Sequence, residues 1–502
     1  SAAVHDLVGH NSSLADNSGG RFPATRATGP LWTSPARVRR RSPSPAPADA
    51  QKVERTSPVQ GSCISSPAPR SDKPVRAART MNTNWNQHPY FAALDWAKDH
   101  HDVVVVDSAG TIVADFRFPH TAAGWAEFAQ KMQPFAGCPI TLETSSGPAV
   151  DQLLQRHWTI YPVAPTAAER YRERKAPSGT KNDRHDGWSL ADALRTDGHA
   201  WRPLRPQDEA TAKLRALCRD EITLIEQRTL LVNQLQAALR EYYVAALEAF
   251  EDWTQPSSWQ FILAFPTPAR LRAAGRRQWE KFLHTHKLWR PQTRDKRQAL
   301  FAEADALAAS PAVVAAKSLL AVSLARLLVT LQGQLDEYRH QIRLAFREHP
   351  DHDIFGSLPG ARDMLGPRLL AELGSVREEY PDPEALMCQA GVSPVEYQSG
   401  QIKRCRLRRA CHKVFRATVH LWANVSRLTC SWAQAYYAQK RAEGHSHASA
   451  LRCLGKRWLK ILWRLWQDRK PYDEALYLKS LERRNSLVWQ LIKADAPAGP
   501  AM

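Results

Sequence analysis

Four carboxylates and one serine in this 502-residue chain are spaced so that they could act on a phosphodiester. Asp95 lies near the end of a short apolar run, and Glu143 closes a later one. Asp183 and Asp186 stand three apart in Lys181-Asn182-Asp183-Arg184-His185-Asp186, at the start of a helical pattern reaching Leu194. Side chains at i and i+3 of a helix share a face, roughly 5–6 Å apart at Cβ, and acids at one edge of a sheet can converge on a point. As metal ligands, such a quartet suits two Mg2+ (or Mn2+) ions roughly 4 Å apart, which stabilise the attacking and leaving oxygens of a phosphate ester. Two plainer readings stand beside it. Asp183 could cap the helix, and the four could be surface acids like Asp99, Asp102, Asp107 and Asp115.

The serine is Ser399, in Pro394-Val395-Glu396-Tyr397-Gln398-Ser399-Gly400-Gln401, directly before Lys403, Arg404, Arg406, Arg408 and Arg409. A serine nucleophile for phosphoryl transfer needs its developing charge stabilised, and arginine or lysine can supply that. The alternative is a Ser-Gly turn before a helix. The five cations, with Lys413 and Arg416 after them, read as contacts to nucleic-acid phosphates. Cys405, Cys411, His412, Cys430 and Cys453 match no zinc spacing.

The charge supports this placement. The chain carries +19 with histidine neutral, of which residues 1–80 hold +7, residues 401–470 hold +15, and the remainder −3. A basic excess this localised favours nucleic acid over a mixed, solvated surface. Residues 1–80 contain ten prolines and little apolar periodicity, so they read as a disordered basic leader. Uninterrupted apolar runs never reach eighteen residues, so no membrane-spanning helix and no membrane partner are expected. No secretory signal is visible at Ser1, and eight scattered cysteines without Cys-x-x-Cys read as reduced thiols in the cytoplasm.

Elements that could position these groups follow from periodicity. Strands are expected at Phe91–Trp96, Asp102–Val106, Thr111–Phe118, Pro139–Glu143 and Thr159–Val163, with helices over 121–132 and 147–156: an α/β unit with a mixed sheet. Residues 207–250 repeat Leu217, Leu224 and Leu231 at seven, and 311–347 repeat Leu328, Leu335 and Ile342, with Ser310-Pro311 as a helix start. These predict a coiled-coil hairpin, an intersubunit coiled coil, or an internally packed bundle. Around Leu358-Pro359-Gly360 to Gly374, helix, glycine turn and helix are expected, serving either a phosphate contact or packing.

Taken in order, Ala93-Leu94-Asp95, Leu142-Glu143-Thr144, Lys181 to Asp186, Leu358 to Gly374 and Gln398-Ser399-Gly400 resemble the DEDD transposases of the insertion-sequence one-ten family, over about 90–480. The resemblance implies an RNase H-like, Holliday-junction-resolvase-like α/β domain (88–205) with Asp95, Glu143, Asp183 and Asp186 as its acids. It further implies a long-helix coiled-coil insertion (206–350), a mainly α C-terminal transposase domain (351–480) and a tail (481–502). Ser399 matches the family's nucleophile, which forms a covalent serine–DNA intermediate. Implied partners are double-stranded donor and target DNA, a structured guide ("bridge") RNA, and further copies of the chain as dimer or tetramer, in a bacterial, nucleoid-associated setting. The family's usual glycine a few residues after the serine is absent. Two other functions are weighed: a metal-only Holliday-junction-type endonuclease, and a non-catalytic nucleic-acid-binding scaffold.

Overall fold

The computed structural model describes residues 85–175, 182–303 and 309–495. The basic leader expected over 1–80, Lys181 and the end of the expected tail lie outside the described residues.

A five-stranded sheet comes first. β1 (Tyr90–Trp96), β2 (His100–Asp107) and β3 (Ile112–Pro119) form an antiparallel meander. Helix α1 (Ala122–Met132) leads to β4 (Ile140–Leu142), which pairs parallel with the free edge of β1. Helix α2 (Pro148–Gln155) then leads to β5 (Ile160–Pro162), parallel to β4. The order is β3-β2-β1-β4-β5, the mixed sheet expected from the alternation.

Side chains alternate across a strand, so β1 feeds two cores. Ala92 and Leu94 join Val103, Val105, Trp125, Phe128 and Leu153 on the side of α1 and α2. Phe91 and Ala93 join Val104, Ala168, Leu190 and Leu194 on the other, under α3 (Pro165–Lys175) and α4 (Asp183–Asp197). Asp95, two residues beyond Ala93, therefore faces α4.

A helical body follows. α5 (Glu209–Tyr242) is capped by Asp208, whose side chain accepts from the Thr211 N–H. After α6 (Val244–Ala249), α7 (Pro256–Ala264), α8 (Pro268–Thr285) and α9 (Pro291–Glu303), α10 runs from Pro311 to Glu348, capped by Ser310 as the Ser-Pro pair predicts. Cross-links fix its direction: Glu221 meets Arg339, Arg228 meets Gln332 and Glu241 meets Lys317. Positions rising along α5 meet positions falling along α10, so the two long helices form an antiparallel hairpin. Leu235 and Leu239 pack with Leu324 and Leu328 along it, and Trp259, Phe261 and Trp279 close its far end.

One window of α10 is long and apolar enough to cross a membrane by length and composition. Counting uninterrupted apolar residues misses it because Lys317 and Arg326 break the run. In the structure α10 packs on α5 and α7, with Leu319 left 71% exposed.

The last unit comprises α11 (His352–Gly356), α12 (Arg362–Leu373), α13 (Pro383–Gln389), β6 (Val395–Ser399), β7 (Ile402–Arg406), α14 (Lys413–Thr429), α15 (Ser431–Ala442), α16 (His447–Asp468), α17 (Glu474–Arg483) and α18 (Leu487–Asp495). Its core is built on the fully buried Trp422, Trp432, Trp458 and Trp466. The glycine turn serves packing. The Pro359 carbonyl accepts from Trp422 Nε1 at 3.0 Å, and a Cβ on Gly360 (φ +73°) would meet Val425 Cγ1 at 2.9 Å.

Candidate active site

Asp95 opposes Asp102 in the β1–β2 register, and Glu143 stands one residue past β4. Asp183 and Asp186 occupy the first turn of α4, where the helix dipole favours negative charge. Asn182 is the cap, its Oδ1 accepting from the Arg184 N–H at 3.0 Å. Asp183 therefore does not have the capping role weighed for it.

Asp95 feels the other three acids. The Asp95 carboxyl is held above the usual carboxylate range, first by burial and then by repulsion from Glu143, Asp102, Asp183 and Asp186. Two arginines thread the cluster. Arg117 forks onto Asp102 (Nε–Oδ1 2.8 Å, Nη2–Oδ2 2.9 Å) and reaches Asp183 Oδ2 at 3.4 Å. Arg172 Nη1 lies 3.3 Å from Glu143 Oε1 and 3.2 Å from Asp186 Oδ2. Asp186 is 5% exposed, and its Oδ1 is buried without a partner. Asp102, grouped with the surface acids from its sequence, belongs to the cluster.

Asp183 and Asp186 thus share a helical turn but serve different cations. Among the described residues no three His, Cys, Asp or Glu side chains stand close enough to hold a metal. The donor set still fits a hard divalent cation: it is all oxygen, mutually repelling, and has one buried oxygen unsatisfied.

Beside this edge, His101 (0% exposed) meets His120, Nε2 to Nδ1, at 2.8 Å. Burial, with His120 and His100, pushes its pKa down to about 4, against a smaller opposing pull from Asp102. The unfolded imidazole takes a proton near pH 6.5. Stability is therefore expected to fall as pH drops from about 6.5 toward 4, because only the unfolded chain gains that proton. Denaturant midpoints should show this loss, and His101→Phe should flatten it; an unchanged slope in the variant would refute the assignment.

Ser399 ends β6 and is exposed. The expected Ser-Gly turn is there, but it joins two strands rather than opening a helix. Gly400 (φ +55°) takes the first of two loop positions between Ser399 and its partner Ile402, a place where glycine tolerates positive φ. All of β6 is exposed, including Val395 and Tyr397, as is Ile402 on β7. Among the described residues no hydrogen bond or ion pair joins Ser399 to the four acids.

Of the seven cations, Arg404, Arg409 and Lys413 are exposed, and Arg406 stacks over Tyr397 at 4.3 Å. The Lys403 side chain lies outside the described residues. Arg408 donates to the Ser393 carbonyl at 3.2 Å, and Arg416 is tied to the Arg408 carbonyl and Cys411 Sγ, so these two brace the hairpin's exit. A cavity of about 300 Å³ there is lined by Leu407, Lys413, Arg416, His420 and Arg452 among others. Sequence reasoning missed Arg117 and Arg172, because a charged residue on the outward face of a strand or in a charged helix carries no periodic signal.

Two family models match the chain: a DEDD transposase model of the IS110 group over residues 92–244, and the transposase model of the IS116/IS110/IS902 family over 352–438. The mini-circle putative transposase for IS117 of Streptomyces coelicolor is 32% identical over 394 residues, covering 76% of this chain and 95% of the relative. The IS900 uncharacterized 42 kDa protein of Mycobacterium paratuberculosis is 31% identical over 304 residues, 59% of this chain and 73% of that one. The IS110 uncharacterized 43.6 kDa protein of Streptomyces coelicolor is 25% identical, covering 77% and 96%.

Proposed function

The chain belongs to the IS110 family of insertion-sequence transposases, and on that footing we propose that it recombines DNA through a covalent bond to Ser399, with Asp95, Glu143, Asp183 and Asp186 as the acids of the reaction. The meeting of Glu143 and Asp186 on one guanidinium nitrogen, with Asp95 on the strand beside β4 and Asp183 in the same helical turn, is the observation that carries the proposal. The β3-β2-β1-β4-β5 order supports an RNase H-like, Holliday-junction-resolvase-like domain over 88–205. The antiparallel hairpin supports a coiled-coil unit over 206–350, leaving 351–480 as the transposase domain.

Asp95, Glu143, Asp183 and Asp186 would hold Mg2+ or Mn2+, which when bound polarises a phosphoryl oxygen as a Lewis acid. The chain's own residues do the rest. Arg404, Arg406, Arg409 and Lys413 bind phosphates beside the hairpin, in a salt-dependent manner. The Ser399 hydroxyl attacks phosphorus; an Oγ–P bond forms, the P–O3′ bond breaks, and the departing 3′ oxygen carries the proton. A 3′ hydroxyl of the partner strand reverses these changes and joins the DNA. Because the Ser399 hairpin is exposed and, among the described residues, no hydrogen bond or ion pair joins Ser399 to the four acids, a second copy supplying the acids in a dimer or tetramer is part of the proposal, as is guidance by a structured RNA.

A labelled junction substrate tests this. After denaturation, label is expected to stay on protein and to map to the peptide spanning 395–402. Cleaved DNA with no protein-bound label would instead favour the metal-only endonuclease, and no cleavage at all the binding scaffold.

A further inference from the structure

We propose that Arg172 is an internal stand-in for the divalent cation: it holds the place between Glu143 and Asp186 and must leave for the metal to enter. The inference rests on the metal reading of the quartet.

Its geometry differs from that of a structural ion pair. Arg117 grips Asp102, and Arg219 grips Glu372, with two parallel N–H···O bonds each, the fork that arginine favours. Arg172 instead presents a single nitrogen, Nη1, to one oxygen from each of two acids, at 3.3 and 3.2 Å. Bridging two carboxylates with one atom is what a point cation does. The substitute is incomplete, since Asp186 Oδ1 stays buried and unpartnered.

The arginine is held loosely. Its side chain is 28% exposed, and only Ala168 of α3 is buried. Beyond it, Lys175 ties the helix end to Asp192 at 2.5 Å. Swinging Arg172 outward therefore sacrifices little apolar packing and frees its guanidinium for a DNA phosphate. Two cations that compete for one pair of carboxylates are linked reciprocally: whatever removes the first strengthens the second.

Mn2+ titration of the full chain without nucleic acid, followed by electron paramagnetic resonance, tests the idea. Arg172→Gln is expected to bind Mn2+ about tenfold more tightly than wild type. Arg172→Lys, a charge without the reach to bridge both acids, should fall between, and Asp186→Asn should lose binding. As a second readout, Arg172→Gln should melt lower in chelator, and Mn2+ should raise its midpoint more than that of wild type. A merely structural ion pair predicts the lower melting without the larger Mn2+ response. Equal or weaker Mn2+ affinity in Arg172→Gln, with binding still lost in Asp186→Asn, overturns the stand-in and leaves the metal reading intact. Failure of Mn2+ to bind any form, or binding that survives Asp186→Asn, overturns the metal reading and the stand-in together.

Discussion

Ser399→Ala is expected to remove every trace of protein-bound DNA and to lower joined product by at least about 10⁴-fold, since no other group would make the covalent bond. DNA affinity should stay within about twofold, because Ser399 is exposed and the turn is set by Gly400 and by pairing of 395–399 with 402–406. Gel-shift and denaturing-gel assays on one preparation separate the two effects. Mixing Ser399→Ala with Asp186→Asn, each inactive alone, should restore adduct if the serine and the acids come from different copies. Joined product persisting in Ser399→Ala would end the serine mechanism.

The second large effect is on stability. Glu221 is 2% exposed and neutralised from two sides, by Arg339 Nε at 3.1 Å from α10 and Arg368 Nη2 at 2.7 Å from α12. Glu221→Ala takes the carboxylate from Arg368, only 7% exposed, and leaves Arg339 with Asp336 alone at 3.4 Å. Removing one partner of a buried pair costs about 3–5 kcal/mol, and urea denaturation should register a loss of that size. Replacing Glu221 and Arg368 together by methionine should recover much of it, since the buried Arg368 charge leaves with its partner and the more exposed Arg339 keeps Asp336. A loss in Glu221→Ala below about 1 kcal/mol would mean that water reaches this junction.

These cases also show what was legible in the sequence. The strands were, because Val103 to Val106 and their neighbours alternate or run apolar, and the Ser310-Pro311 start was, because capping chemistry is local. Direction and partners were not. Heptads in 207–250 and 311–347 fit parallel, antiparallel and intersubunit pairing alike; Glu221 meeting Arg339 decides in favour of antiparallel. Glu221 itself resembles any solvent-facing acid on a long helix, since its burial is created by residues 118 and 147 positions away. At the active site the acid types and their order were readable. Arg172 was not, nor the division of Asp183 and Asp186 between two cations, because both depend on rotamers chosen in the packed state. The hairpin around Ser399 was missed as strand because its residues are exposed and so show no buried alternation.

The antiparallel course of α5 and α10 makes residues 209–348 a closed excursion, leaving and rejoining the body at nearly the same point. At 1.5 Å per residue α10 reaches about 57 Å, and the chain returns the whole distance. Length is thereby uncoupled from the catalytic units: seven residues removed from each helix at facing positions would restore the same seam and shorten the arm by about 10 Å. Insertion elements of this family could therefore alter the arm's reach by simple in-frame loss or gain, with the chemistry at its base untouched.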